Sequence, residues 1–156
     1  MHTLTPILLV EDDSVDAMTV RRAMRDLHVA NPVVHSLNGE DAIKYLADPN
    51  TEKPFVILLD LNMPKMSGIE FLRIIKTNPN LKTVPVIVLT TSKEKRDVLE
   101  CFELGAVGYM VKPVDYAKFT QIISTVVSYW YSSERPEQNY QTADAEHQSS
   151  ISSQSR

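Results

Sequence analysis

The chain has 156 residues, 43% of them hydrophobic, and a formal net charge of −4. This length allows one ordinary domain with a buried core, and the mild acidity disfavours a general electrostatic affinity for nucleic acid. The single cysteine, Cys101, excludes an intramolecular disulfide, and no apolar run approaches the roughly 20 residues of a membrane span. Since the first residues show no secretory pattern, we expect a cytoplasmic protein that binds neither nucleic acid nor a membrane.

Short apolar runs alternate with amphipathic stretches along most of the chain. The runs predict strands near residues 6–11, 32–36, 55–60, 85–90 and 107–111. The spacing of apolar residues between and after them predicts helices near residues 14–28, 39–47, 67–76, 94–104 and 115–132. Continuous apolar strands separated by helices are typical of a parallel sheet that is covered on both faces. We therefore predict a three-layer α/β fold with right-handed crossovers.

The last part of the chain has a different composition. Residues 134–156 are rich in Ser and Gln and carry almost no aliphatic side chains. Such a segment cannot bury enough apolar surface to offset the entropy lost on ordering. We predict a domain over residues 1–133 and a disordered tail over residues 134–156, which is too short to form a DNA-binding module.

Polar residues lie at the ends of four predicted strands. Glu11 and Asp12 follow the first, Asp60 ends the third, Thr90 ends the fourth and Lys112 follows the fifth. In open α/β sheets, ligands bind outside the carboxyl ends of the strands, so we expect these side chains to converge. Carboxylate oxygens suit Mg²⁺ better than Zn²⁺, and an ammonium group can neutralise a phosphoryl oxygen. The pattern predicts a site for a divalent cation and a phosphoryl group.

Together, these motifs resemble the receiver domain of two-component response regulators. The resemblance rests on residues 10–13 (Val-Glu-Asp-Asp), residues 59–64 (Leu-Asp-Leu-Asn-Met-Pro) followed by Ser67 and Gly68, Thr90, and residues 108–113 (Gly-Tyr-Met-Val-Lys-Pro). It covers roughly residues 5–132, with the motifs in the order the family has them. The resemblance implies a flavodoxin-like receiver fold whose five parallel strands lie in the order 2-1-3-4-5, with helices on both faces.

The resemblance also implies a role for each matching position. Asp60 resembles the phosphoacceptor, whose carboxylate attacks phosphorus to form an acyl phosphate. Lys112 is implied to pair with one phosphoryl oxygen, and Thr90 to donate its hydroxyl to another. The implied ligands of Mg²⁺ are Glu11, Asp12, Asp60 and the main-chain carbonyl of Asn62. Phosphoryl transfer depends mainly on positioning and charge neutralisation, which a cation and a lysine supply.

Further positions match residues that modulate receivers. Asn62 and Ser92 match positions where the family tunes the lifetime of the phosphoaspartate. Thr90 and Tyr109 match the pair by which receivers report phosphorylation: the hydroxyl moves toward the phosphoryl group and the ring turns into the vacated space. In this family the peptide bond before the proline that matches Pro113 is often cis.

The fifth predicted helix is apolar on more than one face. Phe119, Ile123, Val126 and Trp130 form one stripe that should pack on the sheet. We predict homodimerisation, or kinase docking, through the fourth helix, fifth strand and fifth helix. The residues assigned to this interface are Phe119, Ile122, Val126, Tyr129 and Trp130. The alternative is that the aromatic side chains only cover the end of the core.

Three segments resemble a subgroup of single-domain regulators paired with phytochrome-type histidine kinases. They are residues 128–131 (Ser-Tyr-Trp-Tyr) followed by Pro136 and Tyr140, residues 89–92 (Leu-Thr-Thr-Ser) and the loop over residues 48–54. This finer resemblance implies a light-regulated kinase as the partner.

We therefore interpret the chain as a single-domain response regulator that accepts a phosphoryl group from a histidine kinase on Asp60. It would signal by protein contacts, with at most autophosphorylation and autodephosphorylation as enzymatic activity. One alternative is a phosphorelay intermediate that passes the phosphoryl group onward. An aspartate-nucleophile phosphatase is disfavoured because Asn62 lacks a carboxyl group and no cap domain fits this length. A degenerate receiver that only docks is disfavoured because all the chemical groups are present.

Overall fold

Ten elements alternate between strand and helix in the computed structural model, which describes residues 4–133. The strands are β1 (Ile7–Val10), β2 (Val33–Ser36), β3 (Val56–Leu59), β4 (Val86–Thr90) and β5 (Gly108–Val111). The helices are α1 (Ser14–Asp26), α2 (Gly39–Ala47), α3 (Gly68–Thr77), α4 (Lys95–Glu103) and α5 (Tyr116–Ser132). The predicted elements are confirmed. The predicted disordered tail lies outside the described residues.

All strand pairs in the sheet are parallel, and the strand order is β2-β1-β3-β4-β5. This confirms the predicted fold class and strand order. The chain moves outward from β1 to β2 and then returns to β3 on the other side of β1. The loops that follow β1 and β3 therefore diverge to opposite faces and leave a crevice at the carboxyl edge of the sheet.

The two faces of the sheet carry separate apolar cores. Leu8 and Ile57 contribute to the core covered by α2, α3 and α4, whereas Leu9 and Leu58 contribute to the core covered by α1 and α5. This alternation follows from the two-residue period of a strand. Because both faces are covered, the central strands are apolar at every position, which explains the continuous runs in the sequence.

Two of the α5 residues that were assigned to the interface are buried in the core of the chain. Phe119 and Val126 are each only 5% exposed and belong to the core, so their assignment to an interface is wrong. Ile122 and Trp130 are half-buried against the same core, and Tyr129 is 64% exposed. Since α5 packs beside α1 on one face of the sheet, its main apolar stripe is buried inside the chain, and only its flank is left on the surface.

The C-terminal end of α5 is attached to the amino edge of the sheet through Tyr131. The Tyr131 ring stacks on Phe55 with ring centroids 6.3 Å apart, and its hydroxyl donates to Oδ1 of Asn31. Asn31 is buried, and its Nδ2 donates to the carbonyl of Thr5 at 2.7 Å. The alternative interpretation, in which the aromatic side chains only cover the end of the core, stays a prediction: Tyr131 contacts the core residue Phe55 but is 51% exposed.

No helix in the part of the chain from residue 4 to residue 133 is long and apolar enough to cross a membrane.

We expect Tyr131→Phe to lower the free energy of unfolding by about 1–2 kcal/mol, because it leaves the buried side-chain oxygen of Asn31 without its donor. Tyr129→Phe is the matched control, since Tyr129 is largely exposed two residues earlier on the same helix. Urea denaturation of both variants measures the difference. Equal stability of the two variants would contradict the role assigned to the Tyr131 hydroxyl.

Candidate functional site

Three carboxylates converge at the carboxyl edge of the sheet. Glu11 and Asp12 follow β1 and Asp60 follows β3, and one oxygen of each lies within 4.8 Å of the others. The cause is the register of the two strands, in which Val10 lies opposite Leu59. The Asp60 N–H donates to the carbonyl of Val10 at 3.0 Å, which places the residues after each strand side by side. The sequence prediction of this cluster is confirmed.

The three acids differ in their access to solvent. Glu11 is 2% exposed and Asp60 is 7% exposed, whereas Asp12 is an exposed residue. Asp12 therefore lies at the mouth of the crevice, and Glu11 lies at its inner end. A set of three carboxylate oxygens suits a divalent cation, because hard oxygen donors are the ligands that Mg²⁺ and Mn²⁺ prefer. The donor set fits such a cation.

Lys112 is the counter-charge of this cluster. Its Nζ donates to Oε2 of Glu11 at 2.6 Å and to Oδ2 of Asp16 at 3.0 Å, and lies 3.9 Å from Oδ2 of Asp60. The Lys112 N–H donates to the carbonyl of Thr90 at 2.8 Å, which aligns the residue with the end of β4. The predicted convergence of Lys112 with the acids is confirmed.

The peptide bond between Lys112 and Pro113 is trans, as is every peptide bond among residues 4–133. The cis bond that the resemblance implied is therefore not present. The trans isomer is the lower-energy form of a peptide bond before proline.

Two residues of the site were not found from the sequence. Asp16, in the first turn of α1, is the second carboxylate that binds Lys112. The sequence gives little reason to assign Asp16 to the site, because acidic residues are common in the first turn of any helix. His35, on β2, donates from Nε2 to the carbonyl of Glu11 at 2.6 Å and so holds the main chain at the end of β1. Nothing in the sequence distinguishes it from an ordinary polar residue.

The acidic run after β1 also starts the next helix. Asp13 is the N-cap of α1, and its side chain accepts hydrogen bonds from the N–H groups of Val15 and Asp16. The Asp13 N–H donates to Oε1 of Glu11 at 3.2 Å. Adjacent acids thus have separate tasks: Glu11 and Asp12 face the crevice, and Asp13 caps the helix.

Burial sets the protonation of the inner carboxylate. It raises the pKa of Glu11 from 4.5 to about 7; the hydrogen bond and charge of Lys112 oppose this rise, and the charge of Asp60 adds to it. Burial lowers the pKa of Lys112, but the hydrogen bond to Glu11 and the charge of Asp60 more than offset it, so the net pKa is raised. Lys112 therefore remains positively charged at neutral pH.

The start of α3 packs directly on the main chain of Asp60. A Cβ atom on Gly68 would lie 2.4 Å from the Asp60 carbonyl oxygen, so no larger residue fits there. The Gly68 N–H donates to the carbonyl of Leu61 at 3.0 Å, and Ser67 caps the helix by accepting from the N–H of Glu70 at 3.2 Å. This contact explains the Ser-Gly pair in the sequence. Asn62 is exposed in the same loop.

The predicted switch pair is joined through Ser92. Thr90 is fully buried, and its Oγ1 accepts from the Ser92 N–H at 3.4 Å. Tyr109 is half-buried against the core beneath α3 and α4, and its hydroxyl donates to the carbonyl of Ser92 at 2.9 Å. Ser92, which the sequence assigned to lifetime tuning, therefore contacts both residues of the pair.

The amino-acid sequence is similar to a known protein family over most of its length. Residues 7–124 match the family model described as the response regulator receiver domain. Response regulator Rcp1 of Synechocystis sp. is 35% identical over 128 residues, which cover 80% of this chain and 87% of Rcp1.

Solved structures are similar over most of the chain. The crystal structure of the phosphorylated cyanobacterial phytochrome response regulator RcpA has a TM-score of 0.80 and 34% identity, covering 86% of this chain and 99% of RcpA. The Mn(2+)-bound form of response regulator Rcp1 has a TM-score of 0.78 and 34% identity, covering 85% of this chain and 99% of that chain. The similarity therefore includes both the sheet and its carboxyl edge.

Without a divalent cation, we expect Glu11 to make the free energy of unfolding fall as the pH rises from about 4.5 to about 7. Between these values the folded protein keeps a proton on Glu11 that the unfolded chain has lost, so the stabilisation present at low pH disappears as the pH rises through the folded pKa. The full effect on the free energy of unfolding is at most about 3.5 kcal/mol.

Urea denaturation in a chelator at several pH values, on the natural chain and on Glu11→Gln, isolates this effect as the difference between the two proteins. A difference that is constant across this pH range would contradict the raised pKa of Glu11.

Proposed function

The chain belongs to the response regulator receiver domain family, and from this premise we propose that it accepts a phosphoryl group on Asp60 and signals through protein contacts. The observation that supports this proposal most directly is the convergence of three carboxylates with the Nζ of Lys112 at the carboxyl edge of the sheet. The chain spans 87% of Rcp1 and 99% of RcpA, which supports action as a single-domain regulator. Members of this family are signalling proteins rather than turnover enzymes.

Asp60 is the proposed nucleophile. Its carboxylate oxygen attacks the phosphorus of a phosphohistidine, the P–N bond breaks, and the imidazole leaves with that electron pair as an acyl phosphate forms on Asp60. Lys112 Nζ, 3.9 Å from Oδ2 of Asp60, is close enough to pair with a phosphoryl oxygen after a small movement. Thr90, whose hydroxyl is only weakly engaged at 3.4 Å, can donate to another oxygen.

Mg²⁺ is the proposed cofactor. Glu11, Asp12 and Asp60 would hold it, with the main-chain carbonyl of Asn62 as a further ligand. When bound, the cation would neutralise charge on the carboxylates and on the phosphoryl oxygens. The donor chemistry supports a divalent cation, as does the Mn(2+)-bound form of the relative Rcp1. Binding would remove the proton that burial favours on Glu11.

Membership of this family implies a histidine kinase as the phosphoryl donor, and we propose one of the phytochrome type. The similarity to a cyanobacterial phytochrome response regulator supports this assignment. Exposed apolar side chains beside the crevice give such a donor a place to bind: Val15 and Met18 on α1 are each 68% exposed, and Val114, two residues after Lys112, is fully exposed. The predicted cytoplasmic location stays a prediction.

We propose homodimerisation through α4, β5 and α5, with a revised set of contact residues. Leu99 and Phe102 on α4 are 61% and 49% exposed, and Tyr129 on α5 is 64% exposed. These elements flank β5, which is an edge strand of the sheet. Ile122 and Trp130 contribute their exposed parts. Exposed apolar side chains on both flanks of an edge strand favour a second copy of the chain as the partner.

The switch and tuning roles belong to the same proposal. Thr90 would move toward the phosphoryl group, and Tyr109 would follow because both contact Ser92. Asn62 and Ser92 remain the residues proposed to tune the lifetime of the phosphoaspartate. An aspartate-nucleophile phosphatase is not favoured, because Asn62 offers an amide and not a carboxyl group. A phosphorelay intermediate has no observation in its favour.

Mg²⁺-dependent labelling by a phosphorylated phytochrome-type histidine kinase tests the acceptor. We expect one phosphoryl group per chain in the natural protein and none in Asp60→Asn, which removes the nucleophile. Asp13→Asn is the matched control, because asparagine caps a helix as well as aspartate and Asp13 does not face the crevice. Equal labelling of Asp60→Asn would contradict the assignment, and continuous release of phosphate from a phosphomonoester would favour the phosphatase.

Size-exclusion chromatography with light scattering tests the interface. We expect the natural chain to run as a dimer and Leu99→Ala/Tyr129→Ala to shift to the monomer, because exposed apolar contact area is lost without touching the core. Met18→Ala removes an equally exposed apolar side chain from a different surface and should leave the dimer intact. A dimer that survives the double substitution would overturn the proposed interface.

A further inference from the structure

Ser92 bonds to a different element through each of its polar groups. Its N–H donates to Oγ1 of Thr90 at 3.4 Å, and its carbonyl accepts from the hydroxyl of Tyr109 at 2.9 Å. Its Oγ donates to Oδ2 of Asp97, in the first turn of α4, at 2.6 Å. One residue therefore connects the end of β4, the side chain of β5 that faces the core, and α4.

The start of α4 is attached differently from the starts of the other helices among residues 4–133. Among the helices of the described region, the N-caps of α1, α2, α3 and α5 each accept a hydrogen bond from a main-chain N–H of the first turn. Glu94, the N-cap of α4, makes no such bond. Instead, the Ser92 hydroxyl binds Asp97 and also accepts from the N–H of Glu94 at 3.4 Å.

Packing does not compensate for the missing cap. Cys101 is the one buried residue of α4, whereas α3 and α5 each bury four. A helix with little buried surface is held in place mainly by its polar attachments. In the described part of the chain, two polar side-chain contacts tie α4 to other elements: the exposed pair of Glu100 with Arg73 at 3.1 Å, and the less exposed bond of Asp97 to Ser92 at 2.6 Å. We therefore expect the position of the start of α4 to respond to the bond between Ser92 and Asp97.

Ser92 is bonded more strongly to α4 than to the side chain of Thr90. The bond to Asp97 is short and has a carboxylate acceptor, whereas the bond to the Thr90 hydroxyl is long and weak. If the Thr90 hydroxyl is drawn away, Ser92 loses its weakest bond and keeps its strongest. Any movement of Ser92 is then transmitted to Asp97.

We propose that Asp97 is a positioning residue that couples α4 to the phosphorylation site through Ser92, separately from the coupling of Tyr109. This inference rests on the proposed phosphorylation of Asp60 and adds a second route from it. A displacement of Ser92 then affects two elements. Its hydroxyl group moves Asp97 and α4, and its carbonyl group moves Tyr109 and β5. Each route depends on a different atom of Ser92, so each can be removed alone.

Hydrogen exchange with and without beryllofluoride and Mg²⁺ tests the division, with the loop over residues 61–67 reporting occupancy at Asp60. In the natural chain we expect exchange to change in this loop, in α4 and in β5. Asp97→Ala should abolish the change in α4 and keep the change in β5. Tyr109→Phe should do the reverse.

Controls separate this coupling from general destabilisation. Glu103→Ala removes an exposed carboxylate from the same helix and should leave all changes intact. Ser92→Ala should abolish the α4 response, and Ser92→Thr, which keeps the hydroxyl, should restore it. A persistent α4 response in Asp97→Ala, with the loop responding, overturns the inference. No response of the loop in the natural chain overturns the proposed function instead.

Discussion

The arrangement of the site depends on the electrostatic repulsion between carboxylates that lie close together at one edge of the sheet. Glu11, Asp12 and Asp60 offer oxygens within 4.8 Å of one another, which is costly without a nearby positive charge. Lys112 supplies that charge from the opposite side of the site, and Asp16 shares it. The charge balance leaves Asp60 buried, close to an ammonium group and still open toward the crevice.

The fold serves this arrangement by fixing main-chain positions. The parallel register of β1 and β3 brings their ends together. His35 holds the main chain at Glu11, and Gly68 packs against the main chain of Asp60. Gly68 allows α3 to lie against the carbonyl of Asp60, where any side chain would collide. The buried strands thus provide a rigid base, so that movement is left to the loops above it.

Hydrogen bonds in the loop after β4 connect the buried Thr90 with the surface helix α4. Thr90 is buried next to the crevice, and Ser92 extends from it to Tyr109 and to Asp97. Because α4 has one buried residue and no N-cap bond of its own, a small displacement of this loop can move the helix. The exposed apolar residues of the proposed interface lie on α4 and α5.

The order of the elements and the principal acids of the site can be predicted from the amino-acid sequence alone. Continuous apolar runs identify buried parallel strands, and such strands place residues such as Asp60 and Lys112 at one edge of the sheet. Contacts between distant elements, and the choice of which helix face is buried, follow only from how the elements pack. Lys112 and Asp16 are 96 residues apart in the sequence, and they form a hydrogen bond because the first turn of α1 lies at the same edge of the sheet as the end of β5. A helix that is apolar on more than one face does not reveal which face is buried, so only packing showed that Phe119 and Val126 lie inside.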